Sequence, residues 1–429
     1  MKKIFSIVII SVISLSFAAC EGNSGTDEPD SNTTKDVKTV TQMHKSQKRG
    51  VSFSFGMLED AALMSPMISW QYNWGPSMGV AAVAEWFDED SVMFCPMAWN
   101  NNFNADKIRE WVKAHPQTKY LLGFNEPNLT DQCNMVPKEA AKYWPSVVAL
   151  AKELNLKLVS PAMNYGTLTG YSDPIKWLDE FFACDGCSLD DIDAIAIHCY
   201  MGSPSAVKGY VERFTKYGKP IWMTEFCGWE SSISSVETQK RYMCDVVNYF
   251  EQSDDIERYA WFIPRAGMQT DAYPYMQLLT KTGEIKLTEL GEIYGALSTF
   301  DKSAWFDATR KIEPNNYIAI GSTATNIRHT TDSQGKWMIA SFPANNYIDY
   351  QIGAKQNLTT LNVRYASYVD TQVILFIDGK EIKQVKFEKT GSGSAWNTLQ
   401  VELPIDAGYH TIRFDMLAGS MDMGQFWFE

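Results

Sequence analysis

The sequence predicts two domains of different fold class: an α/β domain folded as a (β/α)8 TIM barrel over residues 48–300, and an all-β sandwich of the jelly-roll type over residues 304–429. Eight apolar runs of strand length recur in the first part. Their starts are 16 to 39 residues apart, close to the size of a strand-plus-helix unit. Beyond residue 304 the pattern becomes short and alternating, without a helical stretch, which is typical of a sandwich.

The N-terminus carries the features of an export signal. Lys2 and Lys3 precede an apolar stretch at 4–17, and small residues follow up to Cys20. Residues 15–20 resemble the lipobox of bacterial lipoproteins, in which the cysteine is lipidated; an ordinary cleaved signal with a chance cysteine is the alternative. We expect a lipoprotein signal peptide at 1–20, a flexible tether at 21–47, and an exported protein at the bacterial outer membrane, on the cell surface or the periplasmic side.

The composition limits the classes of molecule that the protein is expected to bind. Lys and Arg total 38 against 51 Asp and Glu, a net charge of −13, which disfavours nucleic acid and leaves the lipid anchor as the expected membrane contact. The 14 Trp, 20 Tyr and 22 Phe suit a stackable neutral partner such as a sugar. With five His and a single CxxC pair, Cys184 and Cys187, zinc is disfavoured; that pair forms a local disulfide or two free thiols. We expect a monomer without cofactor or metal.

The barrel strands are predicted at apolar runs bounded by polar residues. They lie at 51–55, 67–72, 92–97, 120–124, 157–160, 194–198, 220–224 and 259–263. The gap after the first run is short, so its unit should be the least regular. A doubly wound open sheet is the alternative, but residues 52–56 lack the glycine-rich turn such a sheet usually carries after its first strand.

Helical spacing fills most of the gaps between these strands. Ile108, Trp111 and Val112 lie on one face of a helix after the third strand. After the sixth strand the pattern recurs at Val207, Val211 and Phe214. Ser234 and Glu237 are predicted to form a capping box that opens the helix after the seventh strand.

Two glutamates stand at the ends of buried strands. Glu126 follows the fourth strand and Glu225 ends the seventh, and barrel enzymes carry their chemistry at these strand ends. Taken alone, a strand-end glutamate is usually a solvated loop residue. A pair facing one cavity instead suits glycoside hydrolysis, in which one carboxylic acid protonates the leaving oxygen and one carboxylate attacks the anomeric carbon.

Polar and aromatic residues at neighbouring strand ends support this hypothesis. Asn125 is placed to donate to a sugar hydroxyl, and His198 and Tyr200 to hold a carboxylate in its charged form. Trp261 is a candidate platform for a sugar ring. Singly, a histidine or tryptophan at such a position more often belongs to the core.

Several motifs resemble glycoside hydrolase family 128, the clan A barrel endo-β-1,3-glucanases. They are Lys48-Arg49-Gly50, Trp70-x-Tyr72-x-Trp74, Gly123-Phe124-Asn125-Glu126-Pro127, Ser160-Pro161-Ala162, His198-x-Tyr200, Thr224-Glu225-Phe226 and Tyr259-Ala260-Trp261. The resemblance implies retaining cleavage of β-1,3-glucan without a metal, with Glu126 as acid/base and Glu225 as nucleophile. It also implies that a substrate groove is lined by Trp74, Trp99, Asn125, His198, Tyr200, Trp229 and Trp261.

The sandwich resembles a family 6 carbohydrate-binding module. The motifs are Val363-Arg364-Tyr365, Phe376-Ile377-Asp378-Gly379, Trp396-Asn397-Thr398, 407–413 and Phe426-x-Phe428. Such modules hold a sugar between two aromatic residues beside a polar one, which implies Trp337, Trp396 and Asp422 here. The polar residue is usually Asn, so Asp422 departs from the pattern, and a sandwich that only packs on the barrel is the alternative.

Two other functions fit the same sequence. One is a clan A hydrolase of another β-glycan, such as β-1,4-glucan, mannan or xylan, because loops around the groove decide specificity. The other is a non-catalytic surface glycan-binding protein that keeps the groove. The presence of both Glu126 and Glu225 favours an enzyme.

Overall fold

The computed structural model describes residues 36–265 and 274–429. In its first part eight strands alternate with helices. The strands are β1 (Arg49–Ser52), β2 (Trp70–Tyr72), β3 (Met93–Phe94), β4 (Tyr120–Leu122), β5 (Lys157–Val159), β6 (Ile195–Cys199), β7 (Ile221–Phe226) and β8 (Ile256–Trp261). The helices are α1 (Leu58–Met64), α2 (Ala81–Glu89), α3 (Ala105–Ala114), α4 (Pro137–Glu153), α5 (Pro174–Phe182), α6 (Pro204–Glu212), α7 (Val236–Gln252) and α8 (Glu289–Ala296).

The eight strands are parallel and fall into two hydrogen-bonded groups. Six form a sheet in the order β3-β2-β1-β8-β7-β6, and β4 pairs with β5 in a second sheet. Isolated parallel bridges join the groups on both sides, Met97 to Leu122 and Val159 to Ala194. The N-terminal domain is therefore mixed α/β as predicted, although its strands do not form one uninterrupted eight-stranded sheet.

Large and small side chains share the space enclosed by these strands. The rings of Trp70 and Trp222 lie 5.0 Å apart, and those of Tyr120 and Trp222 lie 4.6 Å apart. Ala196 and Ala260 face them within the same cluster. This close packing provides a rigid floor beneath the ends of the strands.

The helices follow the predicted apolar spacing, with a correction at one cap. Ile108 and Trp111 are buried on α3, and α1 is a short first helix of 7 residues. Helix α7 begins one residue later than predicted, because the side chain of Ser235 accepts a hydrogen bond from the Thr238 N–H. The predicted capping box of Ser234 and Glu237 is therefore wrong.

The C-terminal part is a sandwich of two sheets, ordered β10-β13-β18-β15-β16 and β11-β12-β19-β14-β17, with β9 beside β13. Asp378 and Gly379, both with positive φ, form the predicted hairpin turn between β15 and β16. The strands are β9 (Phe306–Asp307), β10 (Ala319–Ile320), β11 (Asn326–His329), β12 (Trp337–Pro343), β13 (Asn346–Ala354), β14 (Leu358–Ala366), β15 (Thr371–Ile377), β16 (Lys380–Phe387), β17 (Asn397–Ile405), β18 (Gly408–Ala418) and β19 (Ser420–Phe428).

The segment at 36–47 packs against both domains, where the sequence predicts a flexible tether. Val37 is buried, and Val40 bridges Phe306 of the sandwich. Ser46 donates a hydrogen bond to Glu251 of α7. The tether prediction is therefore wrong over 36–47. The rest of it, the signal peptide and Cys20 lie outside the described residues, and no helix of the described ranges is long and apolar enough to cross a membrane.

Helix α7 joins the two domains through a buried amide. Asn248 donates to the carbonyl oxygens of Thr323 and Thr325 at 3.0 and 3.1 Å, and it accepts a hydrogen bond from Tyr317 at 2.7 Å. Lys208 adds an ion pair to Asp245 and a hydrogen bond to Thr323. The sandwich is thus fixed to the N-terminal α/β domain by polar contacts as well as apolar ones.

The cysteines of the described ranges are free thiols. Cys184 is partly exposed, and the others are buried. Of the two alternatives for the Cys184 and Cys187 pair, the structure therefore has the free thiols.

Candidate active site

Glu126 reaches the site through a left-handed backbone. Its φ is +45°, a conformation that residues other than glycine rarely adopt. The N–H of Glu126 donates to the carbonyl oxygen of Ala162 at 3.0 Å, which holds the turn after β4 in place. Trp74, after β2, has a φ of +61°. Backbone strain of this kind is typical of functional sites.

Glu225 is buried and accepts three hydrogen bonds. Tyr72 and Trp74 donate to its Oε1 at 2.8 and 2.7 Å, and the Tyr200 hydroxyl donates to its Oε2. Tyr72 is the last residue of β2 and Trp74 follows it, whereas Glu225 lies on β7, with which β2 does not pair. Three donors therefore hold this one carboxyl group in a fixed position.

Glu126 has a different environment. Asn164 and His198 both donate to its Oε1, at 3.1 and 2.8 Å, so Oε2 has no protein partner among the described residues. Burial raises the pKa of Glu126. The charge and hydrogen bond of His198 and the hydrogen bond of Asn164 lower it by more than burial raises it, so the pKa lies below its usual value. One oxygen of Glu126 is therefore held, and the other is available to a substrate.

His198 lies between the two carboxylates and is fully buried. Its Nδ1 is 2.8 Å from Glu126 Oε1 and 3.5 Å from Glu225 Oε2. Burial lowers the pKa of His198, but the charges of Glu225 and Glu126 outweigh it and raise the pKa above its usual value. The imidazole therefore lowers the pKa of Glu126 without itself being exposed to a substrate.

The carboxylates open into a cleft of about 670 Å³. Of the predicted groove residues, the structure brings Trp74, Trp99, Asn125, Tyr200 and Trp229 to its wall. One wall is aromatic: the rings of Trp229 and Phe262 lie nearly parallel with centroids 5.9 Å apart. Asn164, Gln132 and Asp131 contribute polar groups elsewhere in the lining.

Trp261 is not part of this cleft, so its prediction as a sugar platform is wrong. It is fully buried, and its Nε1 donates to the carbonyl oxygen of Met276 at 2.7 Å. Its ring packs on Phe226, with centroids 5.1 Å apart. Because neighbouring residues of a strand point to opposite sides, the next residue, Phe262, lines the cleft instead.

Tyr72, Asn164 and Phe262 are among the residues of the site that the sequence did not predict as site residues. Tyr72 stands two positions before Trp74 in the motif Trp70-x-Tyr72-x-Trp74, and that proximity to a predicted groove residue was the available signal. Asn164 follows the fifth strand as Asn125 follows the fourth, and this parallel was the available signal. Phe262 had no signal separate from the Trp261 beside it.

The central three residues are close enough to hold a cation. One donor atom of each of Glu126, His198 and Glu225 lies within 4.8 Å of the others. However, Tyr72 and Trp74 direct hydrogen atoms at Glu225 Oε1, where a cation would be repelled. The donor set suits a pair of carboxyl groups better than a metal ligand set.

The predicted sugar site of the sandwich is not assembled. Trp337 is buried and stacks on His329, with ring centroids 4.4 Å apart. Asp422 accepts a hydrogen bond from the Ser341 N–H at 2.7 Å. Only Trp396 of the predicted three lines a cleft, and that cleft includes neither Trp337 nor Asp422. The prediction for Trp337 is wrong because its side chain faces the core of the sandwich rather than a loop cleft.

Comparisons with known proteins agree with this site. Residues 51–294 match the family model described as the glycosyl hydrolase catalytic core. A GH128 subgroup II endo-β-1,3-glucanase from Pseudomonas viridiflava is 38% identical, covers 58% of this chain and 98% of its own, and superposes with a TM-score of 0.53. The chain belongs to glycoside hydrolase family 128.

A second family 128 structure, the subgroup II endo-β-1,3-glucanase of Sorangium cellulosum, is 34% identical over 58% of this chain and 97% of its own, with a TM-score of 0.51. A curated relative, alkali-sensitive linkage protein 1 of Schizosaccharomyces pombe, is 28% identical over 238 residues. That match covers 53% of this chain and 40% of the yeast protein, so the family 128 chain spans less than half of that relative's length.

The sandwich of this family 128 hydrolase matches another model. Residues 321–429 fit carbohydrate binding module family 35, where the sequence resemblance pointed to family 6. The prediction of a carbohydrate-binding module is confirmed at the level of the family model, and the assignment to family 6 is corrected.

Proposed function

We propose that the chain is a retaining glycoside hydrolase of β-1,3-glucan, with Glu225 as nucleophile and Glu126 as acid/base. The observation that carries the proposal is the unequal distribution of donors. Glu225 accepts three hydrogen bonds on its two oxygens, whereas Glu126 keeps Oε2 without a protein partner. A nucleophile must be ionised before attack, and an acid must present a free oxygen to the leaving group.

The reaction proceeds in two steps. In the first step an oxygen of Glu225 attacks the anomeric carbon, and the bond between that carbon and the glycosidic oxygen of the leaving sugar breaks. Glu126 gives its proton to this glycosidic oxygen. Water then attacks the resulting glycosyl ester, gives a proton to Glu126, and releases the Glu225 carboxylate.

Retention of configuration is supported by the separation of the carboxyl groups. One carboxyl oxygen of Glu126 lies within 4.8 Å of one carboxyl oxygen of Glu225. Carboxyl groups are about 5–5.5 Å apart in retaining enzymes and about 6.5–9.5 Å apart in inverting ones, which must leave room for water. The arrangement of Glu126 and Glu225 suits direct attack.

The substrate and the endo mode of cleavage are supported by the two subgroup II neighbours, both endo-β-1,3-glucanases. The aromatic wall of Trp74, Trp229 and Phe262 suits the apolar faces of glucose rings. We also propose that the eight strands form a closed (β/α)8 barrel, since isolated bridges connect the two sheets on both sides.

The test measures new reducing ends from laminarin, a soluble β-1,3-glucan. The wild type should release them and yield a product of retained configuration by NMR. Glu225→Gln should lose activity by about 10³-fold or more, whereas the control Glu212→Gln, at an exposed glutamate, should not. Equal rates for Glu225→Gln and wild type would indicate a non-catalytic glycan-binding protein. Cleavage of β-1,4-glucan, mannan or xylan in place of laminarin would contradict the substrate assignment.

We further propose that the chain is exported, lipidated at Cys20 and monomeric, with its catalytic cleft available to extracellular glucan. The support is the lipobox-like sequence ending at Cys20. Metabolic labelling with a palmitate analogue should mark the wild type and not Cys20→Ser. Labelling of both proteins would contradict lipidation at this residue.

A further inference from the structure

A buried asparagine joins the turn at 126–130, which follows β4, to the loop at 163–172, which follows β5. Asn128 of this turn is fully buried. Its Nδ2 donates hydrogen bonds to the carbonyl oxygen of Asn164 at 2.7 Å and to that of Tyr171 at 3.3 Å. A reversed amide would direct its oxygen at these two carbonyl oxygens, so they determine its orientation. One side chain therefore holds the loop near both of its ends.

The backbone of Asn128 binds the same loop. Its carbonyl oxygen accepts hydrogen bonds from the N–H groups of Thr167 and Leu168, at 3.1 and 2.9 Å. Gly166 lies so close that an added Cβ would come 2.5 Å from both the Nδ2 and the carbonyl oxygen of Asn128. Such a close approach of two backbone segments requires a glycine. The turn and the loop are therefore in direct contact, and a displacement of Asn128 is transmitted to the loop.

Asn164 is the residue of this loop that reaches the proposed acid/base. Its Nδ2 donates to Glu126 Oε1 at 3.1 Å, and its Oδ1 accepts a hydrogen bond from the Tyr165 N–H at 2.8 Å. The second contact determines which end of the amide faces Glu126, and a reversed amide would direct an oxygen at a carboxylate. The position of the Asn164 backbone therefore decides whether its Nδ2 reaches Glu126.

Asn128 itself has no contact with the cleft. It has no exposed surface and is not among the residues that line the cleft. Its Oδ1 is also buried, without a hydrogen-bond partner in the part of the chain that the structure describes. A side chain that only fastened two segments would need no particular acceptor. Here one acceptor is the carbonyl oxygen of Asn164, the residue that binds Glu126, so the contact connects the fold to the acid/base.

We propose that Asn128 is a positioning residue for the acid/base. By holding the backbone of Asn164, it keeps the Asn164 amide on Glu126 Oε1 and leaves Oε2 directed at the leaving oxygen. The inference rests on the proposed function of Glu126. Without the Asn128 amide, protonation of the leaving oxygen should become slower, whereas attack by Glu225, which Asn128 does not contact, should proceed as before.

The test compares two substrates of the full chain: laminarin, whose leaving sugar must be protonated, and a 2,4-dinitrophenyl β-glycoside of laminaribiose, whose leaving group needs no proton. Asn128→Ala should lower kcat/KM for laminarin by about tenfold and kcat/KM for the dinitrophenyl substrate by less than about twofold. Asn128→Ser, which keeps one donor on a shorter side chain, is the milder variant and should show the same selective loss if Asn128→Ala does not fold. Circular dichroism verifies folding.

A matched control and a double variant separate positioning from a loss of stability. Asn362→Ala removes an equally buried asparagine on β14 of the sandwich and should leave kcat/KM for both substrates within about twofold of the wild type. The double variant Asn128→Ala/Asn164→Ala should cleave laminarin no more slowly than Asn164→Ala alone, because Asn128 acts through Asn164.

The outcomes distinguish the inference from the proposed function. Equal losses on the two substrates, no loss on either, or losses that multiply in the double variant would overturn the positioning role while laminarin cleavage by the wild type upheld the function. If the wild type cleaves another β-glucan in place of laminarin, the substrate assignment fails, and the same comparison on that glucan decides the inference. A wild type that cleaves neither a glucan nor the dinitrophenyl substrate would overturn both.

Discussion

Replacing Asn248 should destabilise the whole molecule, because this one amide connects helix α7 of the barrel to the sandwich. It is fully buried and takes part in three hydrogen bonds, to the carbonyl oxygens of Thr323 and Thr325 and from the Tyr317 hydroxyl. Asn248→Ala leaves the buried Thr325 carbonyl oxygen and Tyr317 hydroxyl, and the partly buried Thr323 carbonyl oxygen, without their partner. Buried groups left unpaired cost about 1–3 kcal/mol each, so we expect a loss of about 3–5 kcal/mol in the free energy of unfolding.

A graded series isolates the cause. Tyr317→Phe removes one of the three hydrogen bonds and should cost about 1–2 kcal/mol. Gln252→Ala is the matched control: it lies one turn further along α7, its side chain is exposed, and its amide contacts only the carbonyl oxygen of Asn248. It should change stability by less than about 0.5 kcal/mol.

Urea unfolding followed by tryptophan fluorescence measures these differences. If the sandwich and barrel unfold as one unit, all variants should show a single transition whose midpoint falls in the order wild type, Gln252→Ala, Tyr317→Phe, Asn248→Ala. An Asn248→Ala midpoint equal to that of Gln252→Ala would refute the reasoning, since it would mean that these interface hydrogen bonds contribute no net stability.

Three further predictions concern the active site. Glu126→Ala should slow laminarin cleavage by about 10²–10⁴-fold but spare glycosides whose leaving group needs no proton. Azide added to Glu225→Ala should give a product of inverted configuration. Identical behaviour of the two variants would contradict the proposed roles. His198→Asn removes the charge that lowers the pKa of Glu126, so the alkaline limb of the kcat/KM profile should move to higher pH, and an unmoved limb would contradict the coupling. Trp229→Ala should raise KM by about tenfold. Trp261→Phe should leave kcat/KM within about twofold of the wild type and lower the free energy of unfolding by about 1–3 kcal/mol. The reverse pattern would indicate that Trp261 lines the groove.

The sequence predicted the glutamates correctly as strand-end residues because each follows a long apolar run. It misplaced Trp261 because that side chain lies on the other face of β8 from Ala260 and packs against Phe226 and Tyr294. Side chains alternate along a strand, so the choice between Trp261 and Phe262 depends on a single residue of register. Propensity and periodicity do not determine a strand end that closely, since tertiary pairing decides it.

The prediction of a flexible tether at 36–47 was wrong for a different reason. Its polar composition predicts a flexible tether, and composition is a local property. Val37 and Val40 are ordered by distant partners, among them Gly353 and Phe306. A side chain at Gly353 would collide with Val37, which shows how closely the segment lies on the sandwich. Two apolar residues in a polar segment give no indication of which surface, if any, will bury them.

The difference between the two glutamates arises entirely from such distant contacts. Locally they look alike, each a carboxylate at the end of a buried run. Glu225 becomes the three-donor carboxylate because Tyr72 and Trp74, more than 150 residues earlier, reach it from β2. These donors are not its neighbours in the sheet, since β7 pairs with β6 and β8. The hydrogen bonds that distinguish the two glutamates therefore depend on where β2 lies relative to β7, and any change that moves one strand relative to the other should alter the contacts of Glu225 before it alters those of Glu126.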